Sequence, residues 1–236
     1  MGELEGKVAI VTGAADGIGA ATAAMFAEHG AEVVRVDRRA EPGFVVADVT
    51  DEASVAQLVA EAVARHGRID ALVNVVGGSR PGKTAIDLTL AEWNELLALN
   101  LTSTFLMSRA VLPHMEAAGS GTIVNVSSGA GLRGMKANPG YIAAKAGVSA
   151  LTRALAIDHG PNGVRVNAVA PGPIRTPLMD RNRSPEEIAA MGGLAIMGRI
   201  GNPDEIASAI LWLSSDGSSY LMGQTLEVDG GPSPAI

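Results

Sequence analysis

Short apolar runs rich in β-branched residues alternate with longer, alanine-rich stretches of helical pattern along this 236-residue chain. Apolar strands that alternate with helices are typical of a parallel sheet covered on both faces. The predicted strands are Val8–Thr12, Glu32–Asp37, Phe44–Ala47, Ala71–Val75, Gly121–Ser127, Val164–Ala170 and Thr225–Val228. The predicted helices are Gly17–His29, Asp51–His66, Leu90–Met115, Tyr141–His159 and Pro203–Ser214. No repeat or linker divides the sequence, so it predicts one doubly wound α/β domain over residues 1–236, with a seven-stranded, mostly parallel sheet.

The composition supports a soluble domain with a full core. Hydrophobic residues make up 47% of the chain, charged residues 18%, and there are no cysteines, which excludes disulfide scaffolds, thiolate zinc sites and cysteine nucleophiles. The acidic start Met1–Gly6 lacks the basic region of a signal peptide, and no unbroken apolar run reaches the roughly 18 residues of a membrane span. We expect a cytoplasmic protein without a membrane partner. The net charge of −7 argues against nucleic acid as a partner.

Three of the four histidines are explained by helix ends. Each stands before a glycine where a predicted helix stops: His29–Gly30, His66–Gly67 and His159–Gly160. A histidine there interacts well with the helix dipole, and the glycine is suited to a left-handed cap. The fourth, His114, has no matching ligand nearby in the sequence, so no metal site is expected.

A glycine-rich turn joins the first predicted strand to the first predicted helix. Its spacing, Gly13-x-x-x-Gly17-x-Gly19, differs from the G-x-G-x-x-G of the common dinucleotide fingerprint, but it has the same strand before it and helix after it. Glycines here let the backbone approach a pyrophosphate, whose charge the helix N-terminus stabilises. We therefore predict that this turn, with Asp16 and Ile18, binds a dinucleotide; a purely structural turn is the alternative.

Asp37 ends the second predicted strand, about 20 residues after the glycines, where a carboxylate accepts hydrogen bonds from the adenosine ribose and repels a 2′-phosphate. Asp16 adds a second negative charge to the same region. Arg38 and Arg39 are the opposing evidence, because an arginine can pair with that phosphate. The repulsion of a 2′-phosphate by the two carboxylates has the larger effect, because the two arginine side chains are long and can turn to solvent. The sequence therefore favours NAD over NADP.

Tyr141 and Lys145 are spaced at i and i+4 of a predicted helix and therefore share one face. A nearby ammonium favours the phenolate and lowers the tyrosine pKa toward the range useful for acid–base chemistry on an alcohol or ketone. Ser128 follows a strand of the predicted parallel sheet, where ligands bind, and is therefore aimed at the same crevice as Tyr141.

Three motifs carry a resemblance to a known family: Thr12-Gly13-x-x-x-Gly17-Ile18-Gly19, Ser128 placed 13 residues before Tyr141, and Tyr141-x-x-x-Lys145. Together they resemble the short-chain dehydrogenase/reductase family, and the resemblance covers essentially the whole chain. It implies a Rossmann-type fold and hydride transfer between a nicotinamide cofactor and a small-molecule alcohol or ketone.

The resemblance also implies the role of each catalytic residue. Ser128 would hydrogen-bond the substrate oxygen, and Tyr141 would transfer its proton. Lys145 would hold the nicotinamide ribose and lower the tyrosine pKa, while Asn100 matches the helix asparagine that organises a water-mediated proton relay.

Further positions resemble the family's cofactor contacts. Asp48 and Val49 match its adenine-contacting pair, and the segment 171–176 matches the one that fixes the carboxamide through the Ile174 backbone and the Thr176 hydroxyl. The expected cofactor-binding set is Gly13, Asp16, Gly17, Ile18, Gly19, Asp37, Arg38, Asp48, Val49, Asn74, Gly77, Tyr141, Lys145, Pro171, Gly172, Ile174 and Thr176.

Two departures from the family pattern stand out. The family's Asn-Asn-Ala-Gly after the fourth strand is Asn74-Val75-Val76-Gly77 here, so the hydrogen bonds of its second asparagine are missing. The segment from Arg38 to Ala47 has only ten residues, and we expect a short loop where members usually have a helix.

Three other functions remain as alternatives. The segment Gly77–Thr84 matches the phosphate-binding P-loop pattern, but the next helix signal is Thr89, too late to wrap phosphates. A non-catalytic dinucleotide sensor is disfavoured because the whole catalytic set is present. NADPH-dependent reduction of a 3-oxoacyl ketone is the main enzymatic alternative, and Asp37 with Asp16 argues against it.

Substrate contacts are predicted from Gly129–Pro139 after Ser128, from the loop Gly77–Gly82 and from a lid near the site. A lid over about 176–201 carries several methionines and leucines, which suit an adaptable apolar surface. Four nearby cations, Arg133, Lys136, Arg181 and Arg183, are either anion contacts or solvated surface residues. By resemblance, the helices Leu90–Met115 and Tyr141–His159 pack between subunits of a homotetramer.

Overall fold

All seven strands form one parallel sheet in the computed structural model, which describes residues 2–231. The strand order is β3-β2-β1-β4-β5-β6-β7, and each neighbouring pair is parallel. The strands are β1 (Val8–Thr12), β2 (Glu32–Asp37), β3 (Val45–Val46), β4 (Ala71–Asn74), β5 (Gly121–Val126), β6 (Val164–Pro171) and β7 (Thr225–Val228). This confirms the predicted α/β fold.

Nine α-helices lie among the described residues. They are α1 (Gly17–Glu28), α2 (Glu52–His66), α3 (Leu90–Leu97), α4 (Ser103–Ala118), α5 (Gly129–Arg133), α6 (Pro139–His159), α7 (Pro177–Asn182), α8 (Pro185–Gly192) and α9 (Pro203–Ser214). The five predicted helices all correspond to helical segments of the structure. The three short ones, α5, α7 and α8, escaped the sequence pattern.

The sheet divides the core into two apolar layers. On one face, Leu58 of α2 and Met107 and Met115 of α4 pack against β-strand residues such as Ile123. The other face is covered by α1 and α9, represented by Phe26, which is fully buried. Because both faces are covered, β1 is buried along its whole length, which accounts for its uninterrupted apolar sequence.

The sheet has a switch point between β1 and β4. From β1 the chain proceeds outward to β2 and β3, and then returns to build β4 to β7 on the other side. In such sheets, the loops that leave β1 and β4 diverge and open a crevice at the carboxyl ends of the strands. The motifs identified in the sequence follow these strand ends.

The predicted helix Leu90–Met115 is interrupted. A π-helical turn, Ala98–Thr102, separates α3 from α4 and contains Asn100. The continuous stretch Leu90–Ala118 is long and apolar enough to cross a membrane by length and composition, but half of the tested window is buried inside the protein, as in the core helix of a soluble domain. π-turns of this kind are frequent at functional sites.

Helix ends follow the predicted chemistry, with one exception. Asp51 caps α2, Thr89 and Glu92 form a capping box on α3, and Gly67 has the left-handed conformation (φ 75°). The prediction for Gly160 was wrong, since its φ of −58° is right-handed and continues into a 3₁₀ turn that ends at Gly163 (φ 86°). His159 instead bonds Glu116 at 2.8 Å, and this contact lowers the pKa of the carboxyl group.

Two segments flank the crevice. As predicted, residues 38–44 contain no helix, and the chain returns directly to β3. Residues 176–201, the predicted lid, contain α7 and α8, capped by Thr176 and Ser184. Each cap is followed by proline at the first helical position, a start signal that sequence reasoning overlooked.

Candidate active site

The crevice consists of two cavities that meet at Thr176. The first, about 350 Å³, follows β1, β2 and β4; the second, about 740 Å³, lies between β5, β6 and the lid. Thr176 lines both cavities. Ten predicted cofactor residues line the first: Gly13, Asp16, Gly17, Ile18, Asp37, Arg38, Asp48, Val49, Gly77 and Thr176.

The glycine turn forms one wall of the first cavity. Gly13 and Gly17 have φ values of 65° and 56°, a region that other residues adopt at a cost. Gly19 is needed for packing, since a Cβ on it would lie 2.0 Å from the Gly13 carbonyl oxygen. It lines neither cavity, and its role is to let α1 approach the turn.

A small ion-pair cluster occupies the end of β2. One oxygen of Asp37 accepts from Ala15 N at 3.2 Å, and the other accepts from Arg39 N at 3.1 Å. The Arg39 guanidinium lies 3.4 Å from Asp37 and 3.2 Å from Asp16, so it bridges the two carboxylates. Arg39, which could have turned to solvent, is held instead by the two carboxylates, while Arg38 lines the cavity.

Asp48 and Val49 complete the far wall. Asp48 accepts from the Thr50 backbone N–H at 2.9 Å and from its hydroxyl at 2.6 Å, and these bonds lower the pKa of Asp48. Val49 is buried. The local turn thereby fixes a carboxylate and an apolar side chain beside the same cavity.

The side chain of Thr12 stabilises the turn after β4. Its hydroxyl accepts from Val75 N at 3.0 Å and Val76 N at 3.4 Å, and it donates to the Val73 carbonyl at 3.3 Å. The sequence places Thr12 directly before the glycines, and that adjacency was the available signal for its role.

The side chain of Asn74, a residue of the predicted cofactor-binding set, points into the interior. Its amide nitrogen donates to Ser108 Oγ at 3.2 Å and to Asn125 Oδ1 at 2.9 Å. The Asn125 amide in turn donates to Thr152 Oγ1 at 3.0 Å. All four side chains are buried, and they join β4 and β5 to α4 and α6 through the sheet interior. Val75 and Val76 line the cavity instead.

Ser128 and Tyr141 are brought together in the second cavity, with Pro171, Gly172 and Ile174 in the same wall. Ser128 stands at the end of β5 and caps α5, accepting from Ala130 N at 3.2 Å. It also hydrogen-bonds Tyr141, which acts to lower the pKa of the phenol, but burial is the larger effect and raises it.

Lys145 is almost completely buried one turn along α6, with 3% exposure. Its ammonium donates to the Val126 carbonyl at 2.7 Å and lies 6.0 Å from the centre of the Tyr141 ring. Burial lowers the pKa of Lys145 to about 8. The predicted lowering of the Tyr141 pKa by Lys145 is thus not seen in this arrangement, because the ammonium is directed at Val126 and desolvation dominates the phenol.

Asn100 lies on the π-turn with its side chain fully buried. Its amide accepts from Gly78 N at 3.0 Å and donates to the carbonyls of Gly78 and Leu96, each at 2.9 Å. A Cβ on Gly77 would lie 2.7 Å from Asn100 Oδ1 and 2.9 Å from Lys145 Nζ. Asn100 and Lys145 therefore both lie beside Gly77, which lines the first cavity, and Lys145 lies next to Tyr141, which lines the second cavity with Ser128.

Ser127 is a supporting residue that sequence reasoning missed. Its hydroxyl donates to the Lys145 carbonyl at 2.8 Å and lies 2.9 Å from Ser149 Oγ. It anchors α6 to the end of β5 and so sets the position of Tyr141 relative to Ser128. The adjacent serines Ser127 and Ser128 were the only signal in the sequence that one serine anchors α6 while the other faces the cavity.

The P-loop pattern does not form a P-loop. Residues 83 and 84 are not helical, and Lys83 is ion-paired with Glu92 at 2.5 Å. A phosphate site of that type needs a helix starting at this point. Within residues 2–231, no three acidic or histidine side chains are grouped to hold a metal ion.

Comparison with known proteins identifies the family. A family model described as enoyl-(acyl carrier protein) reductase matches residues 13–233. The cis-4-hydroxycyclohexanecarboxylate dehydrogenase of Sinomonas cyclohexanicum is 45% identical over 95% of this chain and 96% of its own. The 3-oxoacyl-(acyl-carrier-protein) reductase FabG of Thermotoga maritima is 39% identical (97% and 98% covered), and the D-threitol dehydrogenase of Mycolicibacterium smegmatis is 41% identical (97% and 93%).

Comparison with solved structures supports the same family. A putative short-chain dehydrogenase/reductase from Burkholderia xenovorans superposes with a TM-score of 0.91 at 41% identity, covering 98% of this chain and 97% of its own. The structure of gox2181 gives a TM-score of 0.92 at 35% identity, with 96% and 95% covered. The chain therefore belongs to the short-chain dehydrogenase/reductase family of oxidoreductases, as its glycine turn and its serine, tyrosine and lysine predicted.

Proposed function

We propose that this protein is an NAD-dependent dehydrogenase that reversibly oxidises a small secondary alcohol to a ketone. The observation that carries the proposal is the series of close neighbours Ser128, Tyr141, Lys145 and Asn100, which runs from the second cavity to Gly77 in the wall of the first. One cavity has the lining expected for a dinucleotide and the other has room for a substrate.

The first cavity fits a dinucleotide in shape and charge. Its glycine turn leaves space that side chains would fill, and α1 begins there with Asp16 as its extended N-cap. Helix N-termini bind phosphates through free N–H groups and the helix dipole. The turn would hold the pyrophosphate, Asp48 and Val49 the adenine, Asp37 the adenosine ribose, and Ile174 and Thr176 the carboxamide.

The charges at the end of β2 favour NAD. Asp37 can accept hydrogen bonds from ribose hydroxyls but repels a phosphate at the same place. The Arg39 guanidinium is already shared between Asp37 and Asp16. Pairing Arg39 with a 2′-phosphate would break those two contacts and leave two carboxylates beside a third anion.

Side chains of this protein would exchange the proton of the substrate oxygen. The Ser128 hydroxyl donates to the substrate oxygen, and Tyr141 exchanges the proton of that oxygen as general base or acid. Since burial raises the pKa of Tyr141, the phenol is well suited to donate to a ketone; in the oxidative direction, the Ser128 hydroxyl favours the phenolate. Asn100 would hold a relay water beside Lys145, and the nicotinamide, when bound, supplies the hydride acceptor.

The second cavity indicates the substrate class. Its wall includes Ile174, Met179, Met191 and Leu194, which provide an adaptable apolar surface. Two relatives are named for hydroxylated compounds, a hydroxycyclohexanecarboxylate and D-threitol. These features support a compact, partly apolar alcohol as the substrate.

Paired titration with NADH and NADPH, followed by assays of NAD reduction with a panel of secondary alcohols, tests the proposal. We expect tighter binding of NADH and measurable turnover that Tyr141→Phe lowers by about 10²- to 10⁴-fold. Tighter NADPH binding would refute the cofactor assignment. Unchanged turnover in Tyr141→Phe would refute the mechanism, and cofactor binding without turnover of any alcohol would favour a sensor.

One second function has support of its own. Arg38 lines the first cavity beside Asp48, and the Thermotoga relative is named a 3-oxoacyl reductase. NADPH-dependent reduction of an acyl-carrier-linked ketone is therefore the alternative. Acetoacetyl thioester reduction with each cofactor separates the two, because the alternative requires NADPH to be the faster donor.

We also propose a homotetramer. Phe105 on α4 and Ile157 on α6 are large apolar side chains exposed on the helices that the family resemblance places between subunits. Light scattering at micromolar concentration tests this, and a monomeric mass would contradict it.

A further inference from the structure

Two arginines line the cavity that we assign to the substrate, and both have carboxylate partners. Arg133 contacts Glu227 and donates to Asp229 at 2.5 Å, while Arg183 donates to Glu187 at 3.0 Å. A guanidinium paired in this way attracts an anionic substrate less than a free one does. The charges of this wall therefore favour an uncharged substrate over a carboxylate or phosphate.

Ser79 is a polar residue of the same cavity that the proposed reaction does not use. It lies on the loop after β4 and shares the cavity lining with Ser128 and Tyr141. Its hydroxyl oxygen accepts a hydrogen bond of 2.6 Å from the Asn138 amide. A serine hydroxyl has one proton to donate, and among the described residues the Ser79 proton has no acceptor. The donor is available to a ligand.

Asn138 positions Ser79 through this hydrogen bond. Its side chain is 2% exposed and stands directly before α6, yet it makes no capping bond to that helix. The amide nitrogen faces both Ser79 Oγ and Met135 Sδ, the latter at 3.7 Å. A thioether accepts and does not donate, so the group facing both neighbours is the NH₂, and it is Asn138 that donates to Ser79.

The local structure around Asn138 contains two energetically unfavourable features. Its carbonyl oxygen is buried without a partner in the described part of the chain, which is unfavourable. The preceding Ala137 has a φ of 54°, and its carbonyl accepts from Gly82 N at 2.9 Å, which ties the Ser79 loop to the start of the catalytic helix. Such features persist where the surrounding structure over-determines them, and they cluster at active sites and ligand-binding regions.

We propose that Ser79, positioned by Asn138, donates a hydrogen bond to a second oxygen of the substrate. The preferred substrate is then an uncharged secondary alcohol that carries another hydroxyl or carbonyl group. Ser128 and Tyr141 hold the reacting oxygen, and Ser79 selects and orients the other one. This inference rests on the proposed function, since it assigns the substrate class of the same site.

Matched alcohols with and without a second oxygen test the inference. Cyclohexanol is compared with the 1,2-, 1,3- and 1,4-cyclohexanediols, and 1-phenylethanol with 1-phenyl-1,2-ethanediol, by NAD reduction. We expect the native enzyme to prefer a diol in at least one set. In Ser79→Ala the ratio of kcat/KM for that diol to kcat/KM for its mono-alcohol should fall about five- to tenfold, mainly through KM, the effect of one neutral hydrogen bond.

Two further variants define the roles. Ser79→Thr keeps the hydroxyl and should restore most of the ratio. Asn138→Leu should lower the ratio by raising KM for the diol, whereas a general disturbance of α6 would lower kcat equally for both alcohols and would overturn the positioning role. Absence of any diol preference, or an unchanged ratio in Ser79→Ala, overturns the inference alone. Failure of every alcohol to be oxidised overturns it together with the proposed function.

Discussion

Replacing Gly77 with alanine should lower the activity of the enzyme while the domain remains folded. The backbone φ of Gly77 is not in the left-handed region, so alanine fits the local conformation. The new Cβ, however, would lie 2.7 Å from Asn100 Oδ1, 2.9 Å from Lys145 Nζ and 3.4 Å from Lys145 Cε. Since non-bonded contacts of this kind need about 3.5 Å, both polar groups must move by about 0.6 to 0.8 Å.

The size of the effect follows from these displacements. Misplacement of a catalytic group by about 1 Å costs on the order of 100-fold in rate, so we expect kcat of Gly77→Ala to fall by about 10- to 100-fold. Overpacking of this kind costs about 1–3 kcal/mol of stability, which is small enough for the domain to remain folded.

Gly78→Ala is the matched control. A Cβ there would contact Leu99 Cδ2 at 3.2 Å and no other heavy atom among the described residues within 4 Å. Leucine can yield by rotation, so the loss of kcat should be at most about threefold. Steady-state kinetics and urea unfolding of both variants are compared side by side. A Gly77→Ala enzyme with kcat within twofold of native, or equal losses in both variants, would refute the reasoning.

Three further predictions concern charge and buried polarity. Burial lowers the pKa of Lys145 to about 8 in the folded protein. Between about pH 8 and 10.5 the Lys145 amine is therefore protonated to a greater extent in the unfolded chain than in the folded protein. Its contribution to the free energy of unfolding rises with pH in that window. The stability of native protein relative to Lys145→Met should increase by about 2 kcal/mol from pH 7.5 to 9.5, and a constant difference in urea unfolding would contradict this. Asn125→Ala leaves buried polar partners unpaired and should cost about 2–4 kcal/mol, whereas the exposed Asn162→Ala should cost less than about 1 kcal/mol; equal shifts in urea midpoint would argue against the buried network. Asp37→Ala removes the repulsion of a 2′-phosphate and releases Arg39, so the ratio of Kd for NADPH to Kd for NADH should fall at least about tenfold, and no change in fluorescence titration would exclude this role for the carboxylate.

The sequence predicted most of the scaffold because its signals are local. The strand β1 and the helix α9 were placed with the bounds that the structure shows, since one is a fully buried apolar run and the other begins with a proline and ends its apolar periodicity cleanly. The predictions of Ser128, Tyr141 and Lys145 rest on spacing along a helix and position after a strand, which are properties of the chain itself, whereas Asn100 was predicted from the family resemblance alone.

What could not be predicted depends on contacts across the fold. The π-turn at Asn100 arises from tertiary hydrogen bonds to Gly78, which no periodicity reveals. Asn74 matched a cofactor motif, yet its direction into the sheet interior is decided by Asn125 on the neighbouring strand. The pKa of Tyr141 depends on how deeply the phenol is buried, and neighbouring residues in sequence do not report burial.

Thr176 has a consequence for engineering. It begins the lid helix α7, lines both cavities, and its Cγ2 would lie 3.1 Å from a Cβ placed on Gly17 of the cofactor turn. If the two cavities hold coenzyme and substrate as proposed, a substitution here would change both binding constants at once, and selectivity for alcohols would not be separable from affinity for the coenzyme at this position. Directed changes of substrate range are better begun at Met179 and Met191, which border only the larger cavity.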